Sequence, residues 1–352
     1  MELSILLLIF GSPTQFRRVK AIKNTLRGRR TVSNLYWALQ YGMLDFVDSL
    51  HGVSFEEDSA ALKQLKNDGL VETDDDFRFR LTSKGVKKQL DFQSQLLPLK
   101  NLAVGSRYDV AKFMHRFTFA VQIVSEYSYS NNKYYPQSIN YFEDQLLKRW
   151  FIQNKRHQLP QQFHDLLNDF LSGLGDNQLA DAFTQSLVGH DFSGLTGEQV
   201  AAAEHTHATI VQLQWLQLYG MLLQELLKLP KDNPLLQLTF GLDKPVVAKS
   251  AEETFDLFVK QGSGDFKTIA QQRGIKLTTV YEHLLEMAIM SPINAFPYQS
   301  LIAPDLWKRL ADNSPEDVGE WSFADASKVF PHLAFFEFRL FQIYRSKLAD
   351  EN

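Results

Sequence analysis

The stretch from Phe266 to Leu285 constrains the fold of this chain more than any other segment. Two short helical patterns flank a tight turn, which is the layout of a helix-turn-helix. Such a motif requires a small residue where the helices cross, a residue that tolerates the turn, and an apolar residue beneath the second helix. Ala270, Gly274 and Val280 meet these requirements at the required spacing. The sequence therefore predicts two helices packed across a turn at Gly274.

Neighbouring residues supply the ends and the buried side of these helices. Asp265 is positioned to cap the first helix. Thr279 and Glu282 have the spacing of a capping box for the second helix. A preceding helix is predicted to start within Ser250–Glu253 by the same chemistry. The remaining buried positions of the motif are Ile269, Ile275 and Leu284.

Composition limits the functions open to the chain. Its 352 residues carry a formal net charge of -4, so no global basic field attracts nucleic acid and any contact must come from local patches. The chain has no cysteine, which excludes disulfides and thiolate metal sites and fits a reducing cytoplasm. The apolar run Leu3–Phe10 follows an acid and is too short for a membrane span, so it is predicted to be buried. No membrane or secretion signal is visible, and we expect a cytoplasmic protein.

Residues 1–95 are predicted to form a winged-helix-like domain. Helical patterns, one of them capped by Thr31 and another ended by Gly69, precede a hairpin whose turn is Asp74–Asp76. Thr82 then opens a final helix. The alternating residues of the return strand are Phe77, Phe79 and Leu81.

The rest of the chain is predicted to be helical, which makes the fold class mainly α. Residues 96–240 are assigned to a helical bundle, 241–310 to the helix-turn-helix domain, and 311–352 to a C-terminal helical segment that packs on the rest. The segment Thr209–Leu229 is apolar almost all round but contains glutamines that are costly in lipid. It is therefore predicted to be the central helix of the bundle and not a membrane span. The aromatic stripe between 330 and 344 is predicted to be core.

The sequence contains no recognisable arrangement of catalytic residues. The chain lacks a Gly-x-x-x-x-Gly-Lys-Ser/Thr sequence for nucleotide phosphates. The most metal-like cluster is Glu204–His207, but His205 and His207 point to different faces of a helix, whereas paired ligands need a spacing of three or four. We therefore expect no enzymatic activity, no metal and no cofactor.

One dense group of cations lies near the N-terminus, with no acid among them. Such a group neutralises several phosphates and gives salt-dependent affinity for nucleic acid. The alternative is a solvated helix face or one side of an interface with an acidic protein. The candidate DNA contacts of this basic run are Arg17, Arg18, Lys20, Lys23, Arg27, Arg29 and Arg30.

The front of the second helix of the motif supplies the other candidate contacts. Lysine and threonine side chains donate to phosphates or bases. Glu282 and Glu286 on the same helix are expected to oppose phosphate, and the segment from Ser250 to Met290 holds four cations and six acids. The wing is also acidic at its tip, from Glu72 to Asp76. The candidate contacts at this front are Lys276, Thr278, Thr279, Tyr281 and His283.

Three stretches of the chain resemble the YpbB-like family of Firmicutes, which is encoded beside a RecQ-type DNA helicase. They are Ile22–Thr31, Glu253–Leu284 and Phe335–Tyr344. Residues 250–303 are similar to the helicase-associated helix-turn-helix domain at the C-terminal ends of many RecQ-type helicases. The resemblance implies a DNA-binding or helicase-accessory role for a chain without the motor.

The leading hypothesis is a non-enzymatic protein that binds DNA and acts with a RecQ-type helicase in DNA transactions. Its first rival is a protein-interaction module without DNA contact, which the acidic balance and the acidic wing favour. The second rival is a helix-turn-helix transcription regulator, which requires a dimer and a symmetric operator.

Overall fold

The computed structural model describes residues 1–74, 78–138, 140–261 and 265–351, and the protein is mainly helical, as predicted. The helices up to residue 185 are α1 Leu3–Ile9, α2 Val19–Leu26, α3 Val32–Gln40, α4 Asp58–Asn67, α5 Ser83–Ser94, α6 Val110–Ser128, α7 Tyr141–Asn154, α8 Leu159–Leu174 and α9 Asn177–Gln185. Those that follow are α10 Gly197–Ala203, α11 Ala208–Leu226, α12 Lys249–Lys260, α13 Phe266–Arg273, α14 Leu277–Met290, α15 Tyr298–Leu301, α16 Pro304–Asn313, α17 Phe323–Val329 and α18 Phe335–Glu351. Short 3-10 turns lie at Leu44–Phe46, Leu99–Ser106, Leu236–Thr239 and Ile293–Ala295.

One small antiparallel sheet accompanies these helices. Its strands are β1 Arg17–Arg18, β2 Val71–Thr73 and β3 Arg78–Leu81, in the order β1-β3-β2. The predicted hairpin therefore forms, with Val71 opposite Leu81. The predicted strand residue Phe77, and Asp75 and Asp76 of the predicted turn, lie outside the described residues.

The chain divides into two compact units. The first unit contains Met1–Arg27 and Asp48–Lys244, and the second contains Gly28–Val47 together with the residues from Pro245 onward. The helix predicted after Thr31 does form as α3, and the Thr31 hydroxyl accepts from the Asn34 amide as expected. This helix belongs to the second unit, although the chain up to Arg27 and again from Asp48 to Lys244 belongs to the first.

The N-terminal apolar run forms the buried helix α1 of the first unit, which confirms the prediction. All seven residues of α1 are buried, and the helix packs against α2, α4 and α5. The carboxamide of Gln89 on α5 donates to the backbone oxygens of Leu8, Ile9 and Gly11, which satisfies carbonyls that the end of the helix leaves open.

Helix α11 lies in the core of the first unit, as predicted for the central helix of a bundle. It packs against α6, α9 and α10, and most of its residues are buried. Two of its polar side chains donate to backbone oxygens: Trp215 Nε1 to the Ala182 oxygen at 2.7 Å, and Gln217 Nε2 to the Leu97 oxygen at 2.8 Å. Within the described part of the chain, no helix is both long enough and apolar enough to cross a membrane.

Helix α14 lies in the core of the second unit, where it packs against α3, α12, α13 and α18. The aromatic stripe of α18 is core, as predicted, with Phe338 and Phe341 fully buried. Trp307 and Trp321 meet this stripe edge-on, at ring distances of 5.5 Å to Phe341 and 5.1 Å to Phe338.

Candidate nucleic-acid interface

The turn between α13 and α14 has the predicted geometry. Gly274 ends α13 in the left-handed conformation with φ 63, and the Ile275 amide donates to the Ala270 oxygen at 3.0 Å. Asp265 caps α13 by accepting from the Lys267 amide. Val280 is fully buried and Ala270 nearly so. These features confirm the helix-turn-helix predicted from the sequence.

The start of α14 differs from the prediction. The helix begins at Leu277 with Lys276 as its N-cap, and no side chain caps it. Thr279 lies inside the first turn, where its amide donates to the Lys276 oxygen, so the predicted capping box with Glu282 is wrong. The predicted cap within Ser250–Glu253 is also wrong, because α12 already begins at Lys249.

One face of the front half of α14 is open to solvent, and the rear half is enclosed. Lys276, Thr278 and Glu282 are exposed, and Thr279 is half-buried. By contrast, every residue from Leu284 to Ile289 is buried. A helix placed in this way presents only its first two turns to a groove of DNA.

Two of the predicted front residues are engaged inside the unit. The Tyr281 ring stacks on Phe336 at 4.8 Å and meets Phe266 edge-on at 5.4 Å. His283 Nδ1 shares a hydrogen bond of 2.8 Å with the Thr254 hydroxyl, and burial lowers the pKa of this imidazole. Lys276, Thr278 and Thr279 are therefore the better placed of the five residues.

The acids of this segment are neutralised more than the sequence indicates. Glu286 was expected to oppose phosphate, but it is buried and accepts from Arg30 Nε at 3.0 Å. It also accepts from the Ala248 amide at 2.9 Å, just before α12. Glu253 pairs with Arg273 at 2.8 Å. The exposed front of α14 consequently carries one cation, Lys276, and one acid, Glu282.

The basic run of residues 17–30 is divided between the two units. Arg17, Arg18, Lys20, Lys23 and Arg27 belong to the first unit, whereas Arg29 and Arg30 belong to the second. Several of these cations already have partners inside their own unit. Arg17 donates to the Phe10 oxygen at 2.7 Å, Lys23 pairs with Asp58 at 2.5 Å, and Arg30 binds Glu286. The exposed members of the run are Arg18, Lys20, Arg27 and Arg29.

The outer face of the small sheet adds arginines that sequence reasoning missed. Arg18 of β1 lies opposite Arg78 of β3, and Arg80 of β3 lies opposite Glu72 of β2. Arg80 is bound to Glu72, and Arg78 to Asp74 at 2.6 Å, so these two acids of the wing are paired. The period-two spacing of Arg78 and Arg80 was a visible signal that both share one face of a strand.

The one metal-like cluster of the sequence does not assemble a site among the described residues. His207 lies at the start of α11, with Nδ1 at 3.5 Å from a Glu2 oxygen. No group of three His, Cys, Asp or Glu side chains in the described part of the chain has an arrangement that could hold a metal ion.

Comparison with known proteins identifies one domain. Residues 250–342 match the family model described as a helix-turn-helix domain, which covers α12 to α14 and extends into α18. No protein of curated function and no solved structure shows a significant match to the chain. The C-terminal part of the chain is therefore a helix-turn-helix domain by family as well as by geometry.

Proposed function

We propose that this protein is a non-enzymatic DNA-binding protein whose helix-turn-helix contacts duplex DNA through the front of α14. The observation that carries the proposal is that α14 has an exposed front and a buried rear. One face of its first two turns is exposed, while its rear half is buried in the unit and the carboxylate of Glu286 is held by Arg30. Lys276 and Thr278 then lie on the exposed surface, where they reach phosphate oxygens or base edges.

Phosphate contacts outside the motif come from the exposed cations of residues 17–30. The contacting residues are Arg18, Lys20 and Arg27 in the first unit and Arg29 in the second. The order α1, β1, α2, α4, β2, β3 with sheet order β1-β3-β2 supports a winged-helix arrangement for the start of the first unit, with residues 28–47 inserted between α2 and α4. In such an arrangement α4 and the β2–β3 wing face DNA. The exposed side chains of Lys63 on α4 and Arg18 on β1 suit that role.

The partner in this proposal is a RecQ-type helicase, and its basis is the resemblance to the YpbB-like family. The chain supplies duplex affinity and the helicase supplies the motor. A competing proposal is a protein-interaction module, and the exposed acids Glu252 and Asp256 on α12 favour it. Co-purification with the helicase that survives nuclease treatment, together with no detectable duplex binding, would select the interaction module.

A salt titration of duplex binding tests the DNA contacts. The full chain is mixed with a fluorescent 20-base-pair duplex, and the affinity is measured by anisotropy between low and physiological salt. Replacing Lys276→Gln together with Thr278→Ala is expected to weaken binding and to reduce the slope of log affinity against log salt by about 1. The triple change Arg18→Gln, Lys20→Gln and Arg27→Gln is expected to reduce the slope by up to about 3.

The matched control is Lys308→Gln on α16, which removes the same charge from an exposed position of the second unit. It should leave the affinity and the slope unchanged. If the variant at 276 and 278 behaves like this control, the helix-turn-helix does not contact duplex DNA.

A further inference from the structure

An aromatic surface lies on the first unit, at the end of α6 and the start of α7. Five large aromatic side chains there face solvent, although rings of this size are normally buried. Their exposed fractions are 45% for Tyr127, 67% for Tyr129, 90% for Tyr135, 72% for Tyr141 and 82% for Phe142. Five exposed rings within 16 residues of sequence, with Tyr141 and Phe142 in contact at 5.8 Å, point to a surface that binds a ligand.

A cleft of about 520 Å³ opens beside Tyr127, one of these rings. Its apolar lining comes from α6, α7 and the segment between them, and Tyr127 meets Phe151 edge-on at 5.2 Å in its wall. The side-chain amides of Asn131, Asn132 and Gln145 also line the cleft. Rings offer a stacking face and amides offer both donors and acceptors, which together suit a planar heterocycle.

The segment that bears the aromatic rings is held in place by buried polar groups. Gln122, with 4% of its surface exposed, donates to the Tyr135 oxygen at 2.9 Å and accepts from the Gln137 amide at 2.8 Å. Asn131 Nδ2 donates to Glu126 Oε2 at 2.6 Å. A segment fixed in this way presents its rings without a large loss of conformational entropy on binding.

Exposed cations follow this segment along α7, and two of its acids are buried and paired. Lys148 lines the cleft, and the other exposed cations of the segment are Lys133, Arg149, Lys155 and Arg156. Glu143 is buried beneath Arg116 and Lys112, and Glu126 is buried against Asn131 and His190. Asp144 accepts from the Ser138 hydroxyl, and Asp191 is the exposed acid beside His190. The local balance is positive in a chain whose net charge is negative.

We propose that this surface binds single-stranded nucleic acid. One base enters the cleft and packs against the wall formed by Tyr127 and Phe151, neighbouring bases stack on exposed rings such as Tyr135 and Phe142, and Lys148 with Arg149 contacts the phosphates. Exposed rings serve a single strand in particular, because a duplex keeps the faces of its bases stacked inside and offers only edges and phosphates. Lys148 in the cleft and the exposed cations that follow it on α7 also favour a polyanion over a protein partner.

This inference does not rest on the proposed duplex contact of α14. It concerns a different unit and a different form of nucleic acid, and the two can fail separately. If both proposals hold, the chain contacts duplex DNA through α14 and an unpaired strand through the aromatic surface.

The test compares binding of the full chain to oligo-dT, oligo-U and a duplex of equal length, measured by anisotropy at low salt. The double variant Tyr135→Ser and Phe142→Ser removes two exposed rings that no core depends on. We expect it to weaken binding of one or both single strands by at least about fivefold per ring, with duplex affinity unchanged. Lys148→Gln with Arg149→Gln should reduce the salt slope for the same strand by about 1 to 2. The strand that binds more tightly shows whether DNA or RNA is the ligand.

Two control variants are matched to these changes within the same unit. Phe240→Ser removes a ring that is 55% exposed elsewhere, and Lys228→Gln with Lys231→Gln removes two exposed cations. Neither control should alter single-strand affinity. The proposal is overturned if single strands do not bind, if the ring variant matches the ring control, or if it weakens duplex and single strand equally.

Discussion

At position 286, one carboxylate joins three segments of the second unit. Glu286 on α14 accepts from Arg30, which precedes α3, and from the amide of Ala248, which precedes α12. The Arg30 guanidinium also donates to the Val246 oxygen. The sequence predicted that Glu286 would repel DNA. In the structure its carboxylate instead holds the residues at which α3 and α12 begin.

Removing the arginine should leave this carboxylate buried without its counter-charge. The pair is mostly buried, since only 7% of the Glu286 side chain and 23% of the Arg30 side chain are exposed. Arg30→Met is therefore expected to lower the stability of the second unit by about 3 kcal/mol. Hydrogen exchange of the α14 amides measures this loss locally. The double variant Arg30→Met with Glu286→Gln should recover most of it, since glutamine keeps an acceptor for Ala248. A loss below about 1 kcal/mol in the single variant would contradict the role.

The first unit contains a second buried ion pair, between Arg116 and Glu143. Arg116 Nε donates to Glu143 Oε2 at 2.7 Å, and Arg116 Nη1 donates to the Leu238 and Phe240 oxygens. Burial acts to raise the pKa of Glu143, but hydrogen bonds from Arg116 and Lys112 outweigh it, so the pKa lies below its ordinary value of 4.5. The pair thus links α6, α7 and the turn after α11.

The direction of this shift gives a pH dependence. A carboxyl group with a lowered pKa in the folded state contributes its full stabilisation above pH 4.5 and loses it as the pH falls through the folded-state pKa. Glu143→Gln should therefore destabilise the protein by about 3 kcal/mol at pH 7, and the difference from the parent should shrink below pH 4.5. Urea unfolding at several pH values measures it. Glu225→Gln, which removes an exposed partner of Lys228, should change stability by less than about 0.5 kcal/mol at any of them.

At the scale of elements, the turn between α13 and α14 depends on the backbone of one residue. Gly274 has φ 63, and a Cβ added there would meet no atom within 4 Å. A larger residue at position 274 would therefore meet no steric clash, and only the left-handed backbone conformation disfavours it. The same position sets the angle at which α14 leaves α13, and so the position of Lys276.

Gly274→Ala is expected to destabilise the second unit by about 1–2 kcal/mol, the cost of the left-handed conformation for a residue with a Cβ. Gly274→Asn should cost less, because asparagine adopts this conformation more readily. Gly173→Ala near the end of α8, also in open space, is the control and should be neutral or stabilising. Thermal unfolding of the three variants provides the comparison, and an equal effect at 274 and 173 would contradict the argument.

At the scale of the whole molecule, the unit that contains the helix-turn-helix also includes residues from a distant part of the sequence. The family match covers 250–342, but α3 packs on both α14 and α18. Its side chains Leu35, Tyr36, Ala38 and Leu39 are each at most 4% exposed. The guanidinium of Arg339 on α18 lies 3.6 Å from the ring centre of Tyr36. A segment from the first fifth of the chain therefore completes the C-terminal unit.

A fragment of residues 245–352 should fail to fold stably by itself, because it exposes the apolar faces of α14 and α18 that α3 covers. Adding residues 28–47, as a peptide or through a Gly/Ser linker, is expected to restore a cooperative unfolding transition. Near-ultraviolet circular dichroism and dye binding to apolar surface report the difference. A scrambled peptide of the same composition is the control. Cooperative unfolding of 245–352 alone would show that α3 is dispensable.

Local features of this molecule followed from its sequence because they depend on residues a few positions apart. The caps at Asp265, Thr31 and Thr82, and the turn at Gly274, were all predicted from neighbours in the chain. The capping box predicted at Thr279 does not form, because its spacing is satisfied equally by a threonine inside the first turn. Periodicity identified the buried faces of α11 and α18 but contained no information about which helix covers them.

The sequence by itself therefore determined the helices, the turn of the helix-turn-helix and the apolar faces, since each arises from local backbone preference and periodic hydrophobicity. Only the tertiary structure decided which charges remain available to a ligand. Arg30 and Glu286 are 256 residues apart in sequence, and their pairing removes one cation from the basic run and one acid from α14. Electrostatic partners depend on distance in space, which folding sets. The helix-turn-helix from Phe266 to Leu285 thus has a front with one exposed lysine and one exposed glutamate, Lys276 and Glu282, instead of the acidic surface expected from the sequence.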